Sequence, residues 1–259
     1  MKTRTLRLLE RLDLLRPTYR AYETLRSFGK PGSPTAGELP LPPRRLMVRV
    51  AGTPDADWFV RSGRMSADTV REAATRHGRP LESVGSLLDF GCGCGRVTRW
   101  WRELHAEVHG SDVDAPAVAW CRANLGFGHF AVNDLVPPLG YGDSTFDLVY
   151  GFSVLTHLTE ELQRPWLEDL RRVLRAGGLL VLSTHGERYL ERLTAAEQAR
   201  FEAGDLVVRW GGVAGTNLCT TFHPRPFLER LAEGFELLEH VPEGAAGNPH
   251  QDLSVLRRD

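Results

Sequence analysis

The stretch Leu87-Leu88-Asp89-Phe90-Gly91-Cys92-Gly93-Cys94-Gly95-Arg96 constrains this chain more than any other. A short apolar run passes directly into three glycines at alternate positions. Glycine tolerates positive φ and lets another group approach backbone that a Cβ would shield. The pattern reads as a buried strand, Ser86 to Phe90, running into a tight loop, with an amphipathic helix expected from about Arg96 to His105. Amides exposed at the start of that helix would attract negative charge or a polar ligand group.

Beyond the loop the sequence becomes rhythmic. Strands are expected at Glu107–Ser111, His129–Val132, Phe146–Tyr150 and Gly178–Ser183, with helices at Ala115–Asn124 and Glu161–Arg175. Strands alternating with helices of this length predict an α/β fold, a parallel sheet with helices on both faces. After a polar helix (Thr194 to Ala203) the stretch Asp205–Thr221 is glycine-rich and irregular, and a helix is expected from Pro226 to Ala232. Phe235–Val241 and Asp252–Arg257 read as two strands joined by the loop Pro242–Gln251, and consecutive strands without a helix between them suggest an antiparallel edge. Upstream, Leu6, Leu8, Leu9, Leu12 and Leu15 form an apolar stripe broken at Pro17, which Tyr19 to Phe28 resumes. Gly29–Pro43, with five prolines, reads as a linker or strap. Helices are expected at Asp55–Val60 and at Ser66–His77, the second with Ser66 as its N-cap.

Composition narrows the partners. With 32 basic and 33 acidic residues the formal charge is −1, so no global field draws nucleic acid or an anionic membrane. Only Lys2 and Lys30 are lysines, and the abundance of arginine carries no chemistry by itself. No stretch approaches the ~18 apolar residues of a membrane helix. Arg4, Arg7, Glu10, Arg11 and Asp13 leave no apolar core for a secretory signal. Cys92, Cys94, Cys121 and Cys219 show no paired Cys-x-x-Cys framework and read as thiols of a cytoplasmic protein. Zinc takes about four ligands and no partner cluster is visible, so no metal is expected.

Two acids give the loop a ligand. Asp112 ends the second strand, where a carboxylate accepts hydrogen bonds from ribose hydroxyls. Asn133-Asp134 follows the third, where an acid can accept from an adenine amine. A glycine loop and two acids at three successive strand ends outline an adenosine site without a pyrophosphate, which a second acid would repel.

In these motifs the chain resembles the class I S-adenosylmethionine (SAM) dependent methyltransferases, and is similar to the small-molecule enzymes of type 11 or 12. Asp89 to Gly95 looks like their first motif, Gly110-Ser111-Asp112 like the acidic end of their second strand, and Asn133-Asp134-Leu135 like the adenine-contacting turn. Phe146 to Val149 and Leu174 to Val181 resemble the fourth strand and the entry to the fifth; Gly234 to Leu238 and Gln251 to Leu256 resemble the last strands. The resemblance covers about residues 80 to 185. It implies a Rossmann-like, seven-stranded, mostly parallel sheet with an antiparallel last strand. Residues 1–45 would then be N-terminal helices and linker acting as a lid, and residues 46–259 the methyltransferase domain, with a substrate-facing insertion at about 186–225.

It also implies SAM, lying against Asp89, Gly91, Cys92, Gly93, Gly95, Asp112, Val113, Asn133, Asp134, Leu135 and Gly151, with Arg61 (or Arg64) on the cofactor's carboxylate. Asp89 has a second reading, as an acceptor for amides of the glycine loop. Asp112 and Asp134 have one too, as solvated strand-end acids.

Methyl transfer from a sulfonium needs a base only if the acceptor must lose a proton. His157, just past the fourth strand, is the candidate, or else packs beneath the cofactor. Tyr19, Tyr22, His185, Glu187, Trp210, Asn217, His223, Asn248, His250 and Gln251 lie in segments that would face the acceptor. Tyr150-Gly151-Phe152-Ser153 lacks the Pro-Pro-aromatic grip of DNA amino-methyltransferases and the acids of metal-dependent catechol-type enzymes. The expected reaction is therefore methylation of O or N, with carbon not excluded, on a small molecule: a secondary metabolite or glycosylated compound. An NAD-dependent oxidoreductase is the alternative, although Arg96 stands where its fingerprint wants a third glycine. A non-catalytic SAM-binding module is another. The oligomeric state is not legible.

Overall fold

The computed structural model describes residues 3–12, 14–28 and 39–259. Most of the expected strap (29–38) lies outside the described residues. In chain order come helices α1 (Thr3–Arg11), α2 (Leu15–Arg26), α3 (Arg44–Ala51) and α4 (Ala56–Arg76), then β1 (Ser86–Phe90), β2 (Glu107–Asp112), α5 (Ala115–Asn124), β3 (Gly128–Val132) and β4 (Phe146–Gly151). They are followed by α6 (Glu160–Val173), β5 (Leu174–His185), α7 (Ala195–Glu202), β6 (Val207–Arg209), β7 (Thr220–Phe222), α8 (Arg225–Leu231), β8 (Phe235–Val241) and β9 (Gln251–Arg258).

Seven strands form one sheet in the order β3-β2-β1-β4-β5-β9-β8, and β6 pairs with β7 in a separate ribbon. β1 to β5 are parallel, so their carboxyl ends share one edge. β9 is antiparallel to both of its neighbours, so β8 runs with the parallel set and the reversed strand is internal rather than at the edge. The reason is apolar surface on both faces of β9: Leu253 and Val255 enter one core and Leu256 the other. The alternating side chains of each strand divide the same way. Leu88, Val149, Leu180 and Leu182 pack with Trp166, Leu170, Phe227 and Leu231 of α6 and α8. Leu87, Leu148, Leu179 and Val181 pack with Val70 and Ala73 of α4 and with Trp101. Helices thus cover both faces.

Three local features depart from the sequence reading for physical reasons. Arg96 to His105 is a series of turns with one 3-10 segment at Thr98–Trp101 rather than an α-helix. Residues 92–99 are all buried, which a helix with one solvent face cannot achieve. The two helices expected between Asp55 and His77 are one 21-residue helix, capped by Asp55 Oδ1 on Trp58 N (3.0 Å). Ser66 is therefore an interior residue and not a cap. The short helix α3 follows directly on the prolines of the strap and has too few turns to show a periodic pattern, yet Leu46, Met47 and Val48 are buried.

Candidate active site

The switch in chain direction lies at β1, which pairs with β2 on one side and β4 on the other. Crevices at such points are where open α/β sheets take ligands. A cavity of about 1070 Å³ opens there. Asp89, Gly91, Cys92 and Gly93 from the loop, Asp112 and Val113 after β2, Asn133, Asp134 and Leu135 after β3, and His157 after β4 line it.

The loop is held by the end of β2. Gly91 N and Cys92 N both donate to Ser111 O (2.8 and 3.0 Å), and Gly93 N donates to Asp112 Oδ2 (2.7 Å). These amides are thereby occupied, and with no α-helix after the loop there is no helix-terminus field, contrary to the sequence expectation. What the loop offers instead is close approach: Gly93 has φ +52°, and a Cβ there would lie 2.5 Å from Val50 Cγ2 of α3.

Asp112 Oδ1 accepts from Asp114 N (2.8 Å), so each carboxylate oxygen holds one amide and retains further acceptor capacity, in a residue that lines the cavity. Burial raises its pKa above the usual carboxylate value, opposed by those amides. Asp89 accepts no loop amide; its Oδ2 accepts from Thr98 Oγ1 (2.5 Å), and burial pushes its pKa up to about 6. Beyond β3, Asn133 Oδ1 is buried and unpartnered, although Nδ2 of the same side chain donates to Asp134 O. Trp166 Nε1 donates to Leu135 O (3.0 Å) and fixes that turn from below. A Cβ on Gly215 would lie 2.9 Å from Leu135 and 3.7 Å from Val113, which puts the three around one apolar slot. The pieces fit a flat base with hydrogen-bonding edges and a ribose beside it. The cavity is also at the upper end of the roughly 300–1,000 Å³ of small-molecule sites, room for cofactor and acceptor together.

His157 Nδ1 lies 2.7 Å from Cys219 O. A carbonyl only accepts, so Nδ1 carries the proton and Nε2, hydrogen-bonded by no described residue, holds the lone pair. Burial depresses the His157 pKa, keeping the ring neutral at pH 7.

Other expected residues lie elsewhere. Gly95, Gly151, Arg61, Tyr22, His185, Glu187, Trp210, His223 and His250 are not in the cavity wall. Arg61 and Arg64 are exposed, Arg64 over the Trp100 ring. Gly95 packs beneath Leu125 and Gly151 against Leu182 and Phe90. His185 is buried with Nδ1 on Thr221 O (3.0 Å), and desolvation lowers its pKa to about 4. His223 pairs with Gln163 Oε1 (3.1 Å) and falls to about 3 for the same reason. Trp210 packs with Val213 and Leu15. Tyr22 stacks outside Tyr19, which does line the cavity. His250 is exposed on Glu243 (2.8 Å).

The sequence neighbours of His250, Asn248 and Gln251, are the ones that reach the cavity, with Asn217. Arg96, Arg49 and Ser153 are wall residues that sequence reasoning does not single out. Arg49 Nη1 binds Asp114 (2.7 and 3.1 Å) and its Nε lies 3.4 Å from Glu23, tying α3 and α2 to the loop after β2.

Residues 88–182 match the methyltransferase domain model Methyltransf_11. A malonyl-[acyl-carrier protein] O-methyltransferase of Salmonella typhimurium is 33% identical over 176 residues, 68% of this chain and 62% of that protein. A ubiquinone biosynthesis O-methyltransferase of Rhodopseudomonas palustris is 24% identical over 221 residues, 79% of this chain and 84% of that one. For the malonyl-carrier relatives, the match spans only 44 to 62% of their own length. Among solved structures, a SAM-dependent methyltransferase from Methanosarcina mazei shares the fold, with a TM-score of 0.54 at 20% identity over 71% of this chain and 96% of that one. Sheet order, glycine loop and matched domain agree: residues 88–182 carry a methyltransferase domain of the class I, SAM-dependent kind.

Proposed function

We propose that this protein transfers the methyl group of SAM to an oxygen or nitrogen of a small acceptor. The observation that carries the reading is the convergence, around one cavity, of the Asp112 carboxylate, the buried, unpartnered Asn133 Oδ1 and the unprotonated His157 Nε2. When bound, SAM supplies a methyl already activated by its sulfonium. Asp112 would hold the ribose, Asn133 and Asp134 the edge of the adenine, and Val113 and Leu135 its faces. The chain's own contribution is to align nucleophile and methyl, an effect worth roughly 7–11 kcal/mol when the geometry is near attack. His157 Nε2 would take the proton of a hydroxyl acceptor as it is methylated, or the proton that a neutral amine sheds after its lone pair has taken the methyl, with Cys219 O stabilising the imidazolium. The O-methyltransferase names of the relatives favour oxygen.

Residues 1–45 would serve as a lid, since α2 reaches the cavity through Tyr19 and Glu23, beside Arg49 of α3. Residues 46–259 would form the catalytic domain, with 186–225 facing the acceptor. A secondary metabolite or glycosylated compound suits a cavity this large. All four cysteines are free and buried, which supports a reducing, cytoplasmic setting. Among the described residues no helix is long and apolar enough to cross a membrane, and no group of three or more His, Cys, Asp or Glu could hold a metal. The test is transfer of labelled methyl from SAM into extracted metabolites: label in a small product supports the reading, and a protein that binds SAM yet labels nothing supports the non-catalytic module.

A further inference from the structure

Arg96 is a buried cation without a counter-ion. The residue is 8% exposed and lines the cavity, yet no carboxylate lies within ion-pair distance among the described residues. The groups that hold it are neutral: Asn248 Oδ1 on Nη2 (2.6 Å), and Ser62 Oγ, Ser66 Oγ and Gly247 O on Nη1 (3.3, 3.2 and 3.5 Å). A guanidinium has five N–H donors. Nε and one Nη2 hydrogen are left without an acceptor, and Nε is not sealed off from the cavity. A buried charge is ordinarily paired, because desolvation is costly and only an opposite charge offsets it well. Here burial draws the pKa down to about 10, with Asp89 too far to bond. The helix α4 passes so close that a Cβ at Gly63 would collide with Arg96 O, so the residue is held in place from behind. Ser62, Gly247, Asn248 and Gln251 line the same cavity as Asn133, Asp134 and Leu135.

We propose that Arg96, with Ser62 and Asn248 beside it and Ser66 behind, forms a carboxylate-binding pocket in the cavity. Planar, bidentate recognition of a carboxylate is what an arginine with a free edge does best. The inference rests on the methyl-transfer reading. That reading allows two sources, the amino-acid tail of the cofactor and an acid on the acceptor.

Calorimetry on the whole chain separates them, using S-adenosylhomocysteine, 5′-methylthioadenosine (the same thioether nucleoside without the amino acid) and malonate. Two variants are compared with wild type. Arg96→Gln removes the charge. Asn248→Asp places a carboxylate on the guanidinium from within, so it should raise the unfolding temperature while closing the pocket, which keeps the test valid if Arg96→Gln folds poorly. If the cofactor's tail is the ligand, both variants weaken S-adenosylhomocysteine at least tenfold and methylthioadenosine less than twofold. If the acceptor's acid is the ligand, nucleoside affinities hold, and wild type loaded with S-adenosylhomocysteine binds malonate saturably while both variants lose that binding. Equal loss for both nucleosides, or unchanged nucleosides with no saturable malonate binding, overturns the proposal. A wild type that binds neither nucleoside overturns the methyl-transfer reading instead.

Discussion

Replacing Asp112 by alanine removes one side chain that holds two things at once. Within the protein, Gly93 N loses an acceptor at 2.7 Å and Asp114 N one at 2.8 Å. Asp112 is half-buried and borders the cavity, so water can reach both amides in the unliganded form. The folding cost therefore sits near the lower end of the ~1–3 kcal/mol per unsatisfied group, about 1–2 kcal/mol in total. For a chain of this size that lowers the unfolding temperature by a few degrees, at roughly 2–4 °C per kcal/mol. In the complex the same change removes a charged acceptor for ribose hydroxyls, and bonds to charged groups contribute about 1.5–3 kcal/mol. S-adenosylhomocysteine should then bind about 10- to 100-fold more weakly. Asp112→Asn should do no better, because its amide nitrogen must face one of the two N–H donors. Titration calorimetry on the folded variants measures this. An isotherm like that of wild type for either variant would refute the assignment of Asp112 to the ribose.

Gly93→Val forces a β-branched residue to φ +52° and drives its Cβ into Val50, so nucleoside binding should vanish while the far-UV spectrum stays close to wild type; retained binding would mean that neither the strain nor the crowding of Val50 disturbs the pocket. His157→Ala should slow methyl transfer by roughly 10²-fold or more with cofactor affinity unchanged, and a loss of only a few-fold would return His157 to a packing role. Acid should destabilise the fold early. His185 and His223 have native pKa values of about 4 and about 3, below the ordinary histidine value of 6.5, so their contribution is complete above pH 6.5 and drains away as pH falls through the native values. Asp89, raised to about 6, acts in the opposite sense between the ordinary carboxylate value of 3.8 and 6. His185 and His223 shift further than Asp89, and beside them the lowered His157, His109 and His240 oppose the raised Asp112, Glu23 and Asp252, so an unfolding temperature that climbs from pH 6.5 to 4.5 would contradict the balance.

The parallel half of the fold is legible in the sequence because its strands are short apolar runs bounded by glycine and charge, as at Leu87 to Gly91, and most lead into residues of helical period. The proposed cofactor end is legible for a related reason. Asp112 and Asn133-Asp134 sit at strand ends, where chain order alone sets their neighbours. The acceptor end is not. Asn248 and Gln251 reach the cavity while His250, between them, turns out to Glu243 at φ +63°, a backbone choice that no side-chain pattern announces. His185 follows the fifth strand and His223 borders the glycine-rich stretch, positions that read as open to the acceptor, but β7 draws both inward: Thr221 O accepts from His185 Nδ1, and His223 N donates to His185 O. Arg96 reads as the start of an amphipathic helix, whereas the partners that hold it in place lie 34 and 152 residues away, at Ser62 and Asn248.

The most direct test is equilibrium binding of S-adenosylhomocysteine and of NADH to the purified full chain, each titrated to millimolar concentration. One molecule of S-adenosylhomocysteine per chain with saturable heat, and none for NADH, is the predicted result. Saturable NADH binding with no heat from the thioether nucleoside would contradict the account at its root.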